Sequence, residues 1–249
     1  MATTVLGLKT FTASDPVDYN EINDNYNKID NGVKTALKGR AAHNLLDNSD
    51  FRNPVNQRGQ SSYTGSKYGI DRWRTWNDSA TITITSNGIK GDGTEASVLY
   101  QSIEPNKVVV GKSYTVAAGY SDGSVSCKSG VISADTNMGI WTSTEQVFFA
   151  YNDGKPFVKL WHATKTIAWV AIYEGAYTAE TLPQYIPKGY AAELAECQQR
   201  FHVYATENAR PSDALDCCPP MILAPGQTVI TQGTMTVDGK TLYYNSTDL

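Results

Sequence analysis

The 249 residues carry 21 Lys and Arg against 25 Asp and Glu, a net charge of −4, and only 18% of positions are charged. A mildly acidic chain with no basic cluster is a poor nucleic-acid binder, because neutralising phosphates needs a basic face. No apolar run approaches the roughly 20 residues that span a bilayer, so neither nucleic acid nor membrane is expected as a partner.

Residues 1–14, MATTVLGLKTFTAS, alternate loosely and hold too little apolar surface to fold alone. They read as an extended arm that rests on a neighbouring copy or another protein. They lack the basic opening, long apolar run and cleavage site of a signal peptide, which points to synthesis in the cytoplasm. From Asp15 to about Lys38 the pattern turns helical, with Ser14 or Asp15 as the cap and Pro16 in the first turn. Ile22, Tyr26, Ile29, Val33 and Ala36 recur at heptad spacing, with Asn, Asp and Lys on the other faces. So narrow a seam buries too little to hold an isolated helix in order. The helix must either join identical helices or pack on its own domain, and the heptad spacing favours identical helices. Gly39 and Arg40 open a hinge running to His43, which separates residues 1–40 from a domain that begins at Asn44.

The stretch NLLDNSDFRNPVNQRGQSSYTGSKYGIDRWRTW, residues 44–76, has apolar anchors at both ends (Leu45, Leu46, Phe51; Ile70, Trp73) and turn residues between them. It reads as a chain entering a β-domain and wrapping one edge. Strand-like segments come next without intervening helix: ATITIT, VLYQSI, SYTVAAGY, SVSCKS, VFFAY, PFVKLW and TIAWVAIYEG, punctuated by Asn-Gly, Asp-Gly and Pro turns. Such spacing implies an antiparallel β-sandwich rather than parallel βαβ units. Near residues 190–201 a short helical pattern places Tyr190, Leu194, Cys197 and Phe201 on one face, suited to covering an open end of the sandwich. In the tail, Asp238-Gly239 between two alternating segments signals a two-residue hairpin. Residues 202–249 therefore read as a loop and β-hairpin extension.

The segments NLLDNSDF, NQRG and YGIDRW, joined far downstream by IAWVAIYEG and ELAECQQRF, resemble the two ends of the jelly-roll, carbohydrate-binding-module-like domain of bacteriophage tail fibre and receptor-binding proteins. The likeness covers residues 44–201. It departs from the family's helix motif only by the extra Gln199 and by Phe in place of Tyr at Phe201. It implies a mainly β, jelly-roll fold in a virion appendage made in the host cytoplasm. It further implies attachment to other virion proteins through the N-terminal arm, a homotrimer joined through the helix, and binding to a host cell-surface glycan. The rival implication is a purely structural head fibre, collar or baseplate decoration with no glycan binding.

Chemistry-bearing patterns are sparse. No carboxylate pair has the context of a glycan hydrolase, and the chain carries no Ser elbow, Gly-rich phosphate loop or HExxH. It reads as a non-enzyme without cofactor. Asp71 beside Arg72 reads as a surface ion pair, and Glu193 and Glu196 as solvated. Cys197, His202, Cys217 and Cys218 match no zinc spacing, and all four cysteines, Cys127 included, read as free thiols. The oxygens of residues 47–50 would suit calcium, but an Asx-rich turn explains them without a metal. Sugar recognition commonly uses exposed rings framed by polar groups. Trp73 and Trp169 sit in strand patterns and read as core. The candidate ligand rings are Trp76 at a strand end, Trp141 in a loop and Trp161 after a strand.

Overall fold

Two strands are buried almost end to end, and the rest of the chain is laid around them. A computed structural model describes residue 8 and residues 18–38, 42–75, 80–91, 98–142, 146–161, 165–204, 231–237 and 240–246. Within it, β1 is Ser62–Thr64, β2 Arg74–Thr75, β3 Thr81–Thr85, β4 Gly88–Gly91, β5 Val98–Ser102, β6 Ser113–Tyr120, β7 Val125–Val131, β8 Asp135–Trp141, β9 Gln146–Asn152, β10 Lys155–Trp161 and β11 Ile167–Glu174. The buried pair is β6 and β11, which read as continuous apolar runs rather than alternating ones. Both their faces are covered: the inner by a second sheet, the outer by Leu182, Tyr177, Tyr185 and Ala42 packing on Ala117, Trp169, Ala171 and Tyr173.

The protein is mainly β. One antiparallel sheet has the order β1-β3-β4-β11-β6-β7 and the other β2-β5-β10-β9-β8. Their inner faces share one apolar core, with Val116, Val170 and Ile172 facing Leu99, Val147, Val158 and Leu160. Tyr114 and Phe149 meet across it edge to face at 5.7 Å. The antiparallel sandwich expected from turn spacing is therefore present. The chain changes sheet between β1 and β2, β2 and β3, β4 and β5, β5 and β6, β7 and β8, and β10 and β11, but β6-β7 is a hairpin and β8-β9-β10 a meander within one sheet. That order does not establish jelly-roll connectivity.

Helix α1 spans Tyr19–Lys38. It starts later than the expected Asp15, and its cap is Asp18, whose carboxylate accepts from the Asn20 N–H at 2.9 Å. Ser14, Asp15 and Pro16 lie outside the described residues. The heptad seam faces solvent: Tyr26 is 67%, Val33 52% and Ile29 41% exposed. Ala36 is also exposed and Ile22 half-buried. Helix α2 spans Tyr190–Gln198 and buries Cys197. Phe201 is not on that helix. It opens β12, Phe201–Tyr204, which joins β13 (Thr231–Val237) and β14 (Lys240–Ser246) in a separate three-stranded sheet. Val237 pairs with Lys240, the register a two-residue connection requires. Asp238-Gly239 itself, like Cys217 and Cys218, lies outside the described residues.

Register also fixes the two poles of the sandwich. Strand β6 ends at Tyr120 and β7 returns from Val125 to Val131, with three residues between it and β8. Strand β8 therefore runs back toward the Tyr120 pole and ends there at Trp141, opposite Gln146, which is itself opposite Trp161. Ile167 faces Tyr120, and Ile89, just past the Ser86-Asn87 turn, faces Ile167. At the other pole, Glu174 pairs with Tyr114 and reaches Lys112 at 2.6 Å. The chain that follows helix α1 enters the sandwich toward that second pole, where the Leu45 N–H bonds the Ile172 carbonyl. Lys34 of the helix has its charge favoured by Asp30 and, less strongly, by Glu180.

Candidate functional site

The residues that carry the family likeness converge, but on each other. Residues 45–51 run antiparallel beside β11, with Leu45, Phe51 and Val170 bonding to the carbonyls of Ile172, Ala168 and Ser49. Asn48 adopts a left-handed φ of 48°, which Asn tolerates better than most residues. Its amide spans the belt: Nδ2 donates to the carbonyls of Val55 (2.8 Å) and Asp71 (2.7 Å), and Oδ1 accepts from the Val55 N–H at 2.8 Å. Trp73 donates its indole N–H to the Asn48 carbonyl at 2.8 Å.

Asp71 is fully buried, not at the surface as expected. It accepts from Arg58 Nη1 at 2.8 Å and from the Gln57 N–H at 2.7 Å. Gln57 reaches on to the Phe201 carbonyl at 2.6 Å, and the Arg58 guanidinium lies 3.6 Å from the Phe201 ring centre. The NQRG segment thus ties β12 to the sandwich. Beside it, Arg72 bonds Asp47 (3.0 Å) and Glu104 (3.2 Å), and Arg200 bonds the same Glu104 oxygen at 3.0 Å.

Burial opposes the charge on Asp47, but Arg72, Lys107 and Lys188 outweigh it and hold the carboxyl below its usual range. Glu193 is not simply solvated: it accepts from the Asn48 N–H. Burial raises its pKa despite that bond. Cys127 and Cys197 are free thiols. Burial pushes the Cys197 thiol well up, so it acts as a small apolar side chain. Asp50 is held by Arg52 at 2.7 Å and its oxygen also closes an Asx turn on the Arg52 N–H. Among the described residues, no group of three or more His, Cys, Asp or Glu side chains could hold a metal. These polar groups are already engaged with one another, so the belt locks the fold rather than receiving a ligand.

The Tyr120 pole is different. Trp141 lies at the end of β8, not in a loop, and is 68% exposed. Its ring is braced edge-to-face by Phe148 at 5.2 Å. Gly139 lies opposite Phe148 in the register, and any Cβ there would overlap the Phe148 ring and the Val147 carbonyl. Register puts Gln146 between Trp141 on β8 and Trp161 on β10, so the two tryptophan positions are about 10 Å apart across adjacent strands. The Gln146 Oε1 is buried and makes no hydrogen bond within the described residues. Two expected ligand positions, Trp141 and Trp161, thus fall at one end of the same sheet in the register. Trp76, just past β2, lies outside the described residues. Trp73 and Trp169 are core, as expected.

The sequence pointed to the rings but not to Gln146 or Phe148. They are the outward alternates of a strand whose inward residues, Val147 and Phe149, are fully buried. Alternation in VFFAY was the available signal, and three apolar residues in a row obscured it.

No protein-family model, curated protein or solved structure matches this chain.

Proposed function

We propose that this chain is a bacteriophage virion appendage subunit, a tail fibre or receptor-binding protein, with a jelly-roll domain that presents a glycan-binding face to the host. Helix α1 joins three copies, and the arm before it attaches them to other virion proteins. The observation that carries this reading is the polarity of the molecule. An exposed apolar seam lies on the helix that precedes the sandwich, which the chain enters toward one pole beside Ile172. At the opposite pole a braced, exposed tryptophan sits beside a buried side-chain oxygen that has no protein donor among the described residues. Apolar seams at heptad spacing are ordered by like helices, and an exposed ring framed by polar groups suits the apolar face of a sugar. Copies joined at one end point several weak sites the same way, and avidity then strengthens the whole.

The test is binding of the full-length protein to an array of bacterial surface glycans, with mass measured by light scattering. A trimer that binds is expected. Trp141→Ala should leave the trimer intact and weaken binding at least about tenfold. The paired change Ile29→Asp and Val33→Asp should give monomers whose apparent affinity falls by about 10²–10⁴-fold. A trimer that binds no glycan but captures a purified virion neck or capsid protein would establish the structural-decoration reading instead.

A further inference from the structure

A cleft of about 310 Å³ opens at the same pole on the other sheet, lined by Arg52, Asn87, Gly119, Ser121, Ser124 and Trp169 among others. Its wall is built rigidly. The Trp169 ring stacks flat on Tyr185, centroids 4.5 Å apart and planes within 6°. Gly119 lies beneath the indole, and any Cβ there would overlap its Nε1 edge. Only glycine lets Trp169 lie against β6, and the two then line the cleft together. A register shift between Ile167 and Trp169 helps place Ala168 and Trp169 in the same outer cluster.

The rim is equally fixed. The Arg52 guanidinium is gripped by both Asp50 oxygens at 2.7 and 2.9 Å. In the β6–β7 turn, Asp122 accepts from the Ser124 N–H at 2.9 Å and its hydroxyl at 2.5 Å, and pairs with Lys165 at 3.2 Å. These bonds hold the exposed Asp122 carboxyl down at about 2. Each rim cation is therefore matched by its own carboxylate, which removes the field an anionic ligand would need. What remains facing outward is neutral and polar: the Asn87 amide and the Ser121 hydroxyl, each on an exposed tight turn. The volume is at the low end of the roughly 300–1,000 Å³ of small-molecule sites, which suits one terminal ring rather than a long oligosaccharide.

We propose that this cleft is a second saccharide subsite, taking one uncharged, hydroxyl-rich ring against the Nε1 edge of Trp169 between Asn87 and Ser121. The inference rests on the glycan-binding reading of this pole and adds a separate position to it. Two subsites at one end of each subunit would let a branched or repeating glycan engage both.

The test follows the indole N–H resonances of Trp169 and Trp141 in full-length, ¹⁵N-labelled protein. Glucose, galactose, mannose and N-acetylglucosamine are titrated up to about 50 mM, because a single subsite is expected to bind in the millimolar range. A saturating shift of the Trp169 indole with at least one sugar is expected. Ser121→Trp, which fills the cleft from an exposed turn, should weaken that response at least about tenfold, and Asn87→Ala should weaken it less. Both should leave the Trp141 response unchanged. A Trp141 shift without a Trp169 shift overturns the subsite and leaves the glycan reading standing. Silence at both rings with every sugar overturns the two together. A stronger Trp169 response to N-acetylneuraminic acid than to any neutral sugar overturns the assignment to an uncharged ring.

Discussion

The belt around Asn48 and Asp71 and the rim around Trp141 use similar residue types to opposite ends. Both combine tryptophan, amides and aromatic packing. In the belt the indole donates to the Asn48 carbonyl, the Asn48 amide to Val55 and Asp71, and Asp71 is fully covered. At the rim, Trp141 is mostly exposed and the neighbouring Gln146 oxygen is left unbonded within the described residues. A buried polar group that has satisfied its partners stabilises the fold and is costly to remove. An exposed ring beside a polar group without a protein partner costs the fold something and is the better candidate for recognition. If this contrast is sound, changes in the belt should act on stability alone, and changes at the rim on binding alone.

The largest effect is expected at Asp71. Asp71→Ala leaves the Arg58 guanidinium and the Gln57 N–H without their acceptor in a buried place, a loss of about 3–5 kcal/mol. Urea unfolding measures it. In conditions where the variant is still folded, the Trp141 indole should respond to sugar as in the unchanged protein. A loss of sugar response in folded protein would show that belt and rim are not independent.

Gly119→Ala probes the boundary between the two roles, because Trp169 belongs both to the packed outer face of β11 and to the cleft. The added methyl must displace the indole from β6 and disturb its stack on Tyr185. Overpacking of this kind costs about 1–3 kcal/mol. Thermal unfolding should show the loss and the Trp169 indole resonance should move without ligand. An unshifted resonance would mean that the indole does not rest on Gly119.

Much of the sandwich was legible from residue pattern. Strand β6 appeared with both its limits, because its apolar run is bounded by turn residues. Strand β8 was hidden, because DTNMGIW turns only Met138 and Ile140 into the core and its Gly and Asn resemble a loop. The belt was visible as motif but misread in kind. Nothing local in YGIDRW says that Asp71 will be buried, since its partners Arg58 and Gln57 come from an earlier turn. The start of α1 slipped because Ser14, Asp15 and Asp18 can all cap, and the bonded cap is the last of them. The cleft was invisible for a general reason: Arg52, Asn87, Ser121 and Trp169 come from four separate segments, and only the pairing of β4, β6 and residues 45–51 around β11 brings them together.

The smallest expected effect is on the acid side of the belt. Burial opposes the charge on Glu104, but the bond from Lys107 and the charge of Arg72 outweigh it, and its pKa falls below the ordinary 4.5. Arg200 and Asp47 also face it, the first favouring the charge and the second opposing it. A carboxyl lowered on folding contributes stability that is fully present above its unfolded pKa and is lost as pH falls through the folded value. The window therefore opens below pH 4.5 for Glu104, and below the ordinary 3.8 for Asp47, whose shift has the same sign. Glu193 runs the other way. Burial raises it, so its contribution is complete below 4.5 and declines as pH rises through the folded value, in a window above the other two. Because Glu104 remains partly exposed, screening should hold its share to less than about 1 kcal/mol. Urea unfolding of the unchanged protein and of Glu104→Gln, compared at pH 6 and pH 3, isolates it. The variant should be weaker at pH 6, and the gap should narrow at pH 3, as falling pH protonates the carboxyl and makes the two side chains more alike. A gap of equal size at both pH values would mean that Glu104 acts through shape and neutral hydrogen bonds, and the belt would then be held by packing rather than by its charges.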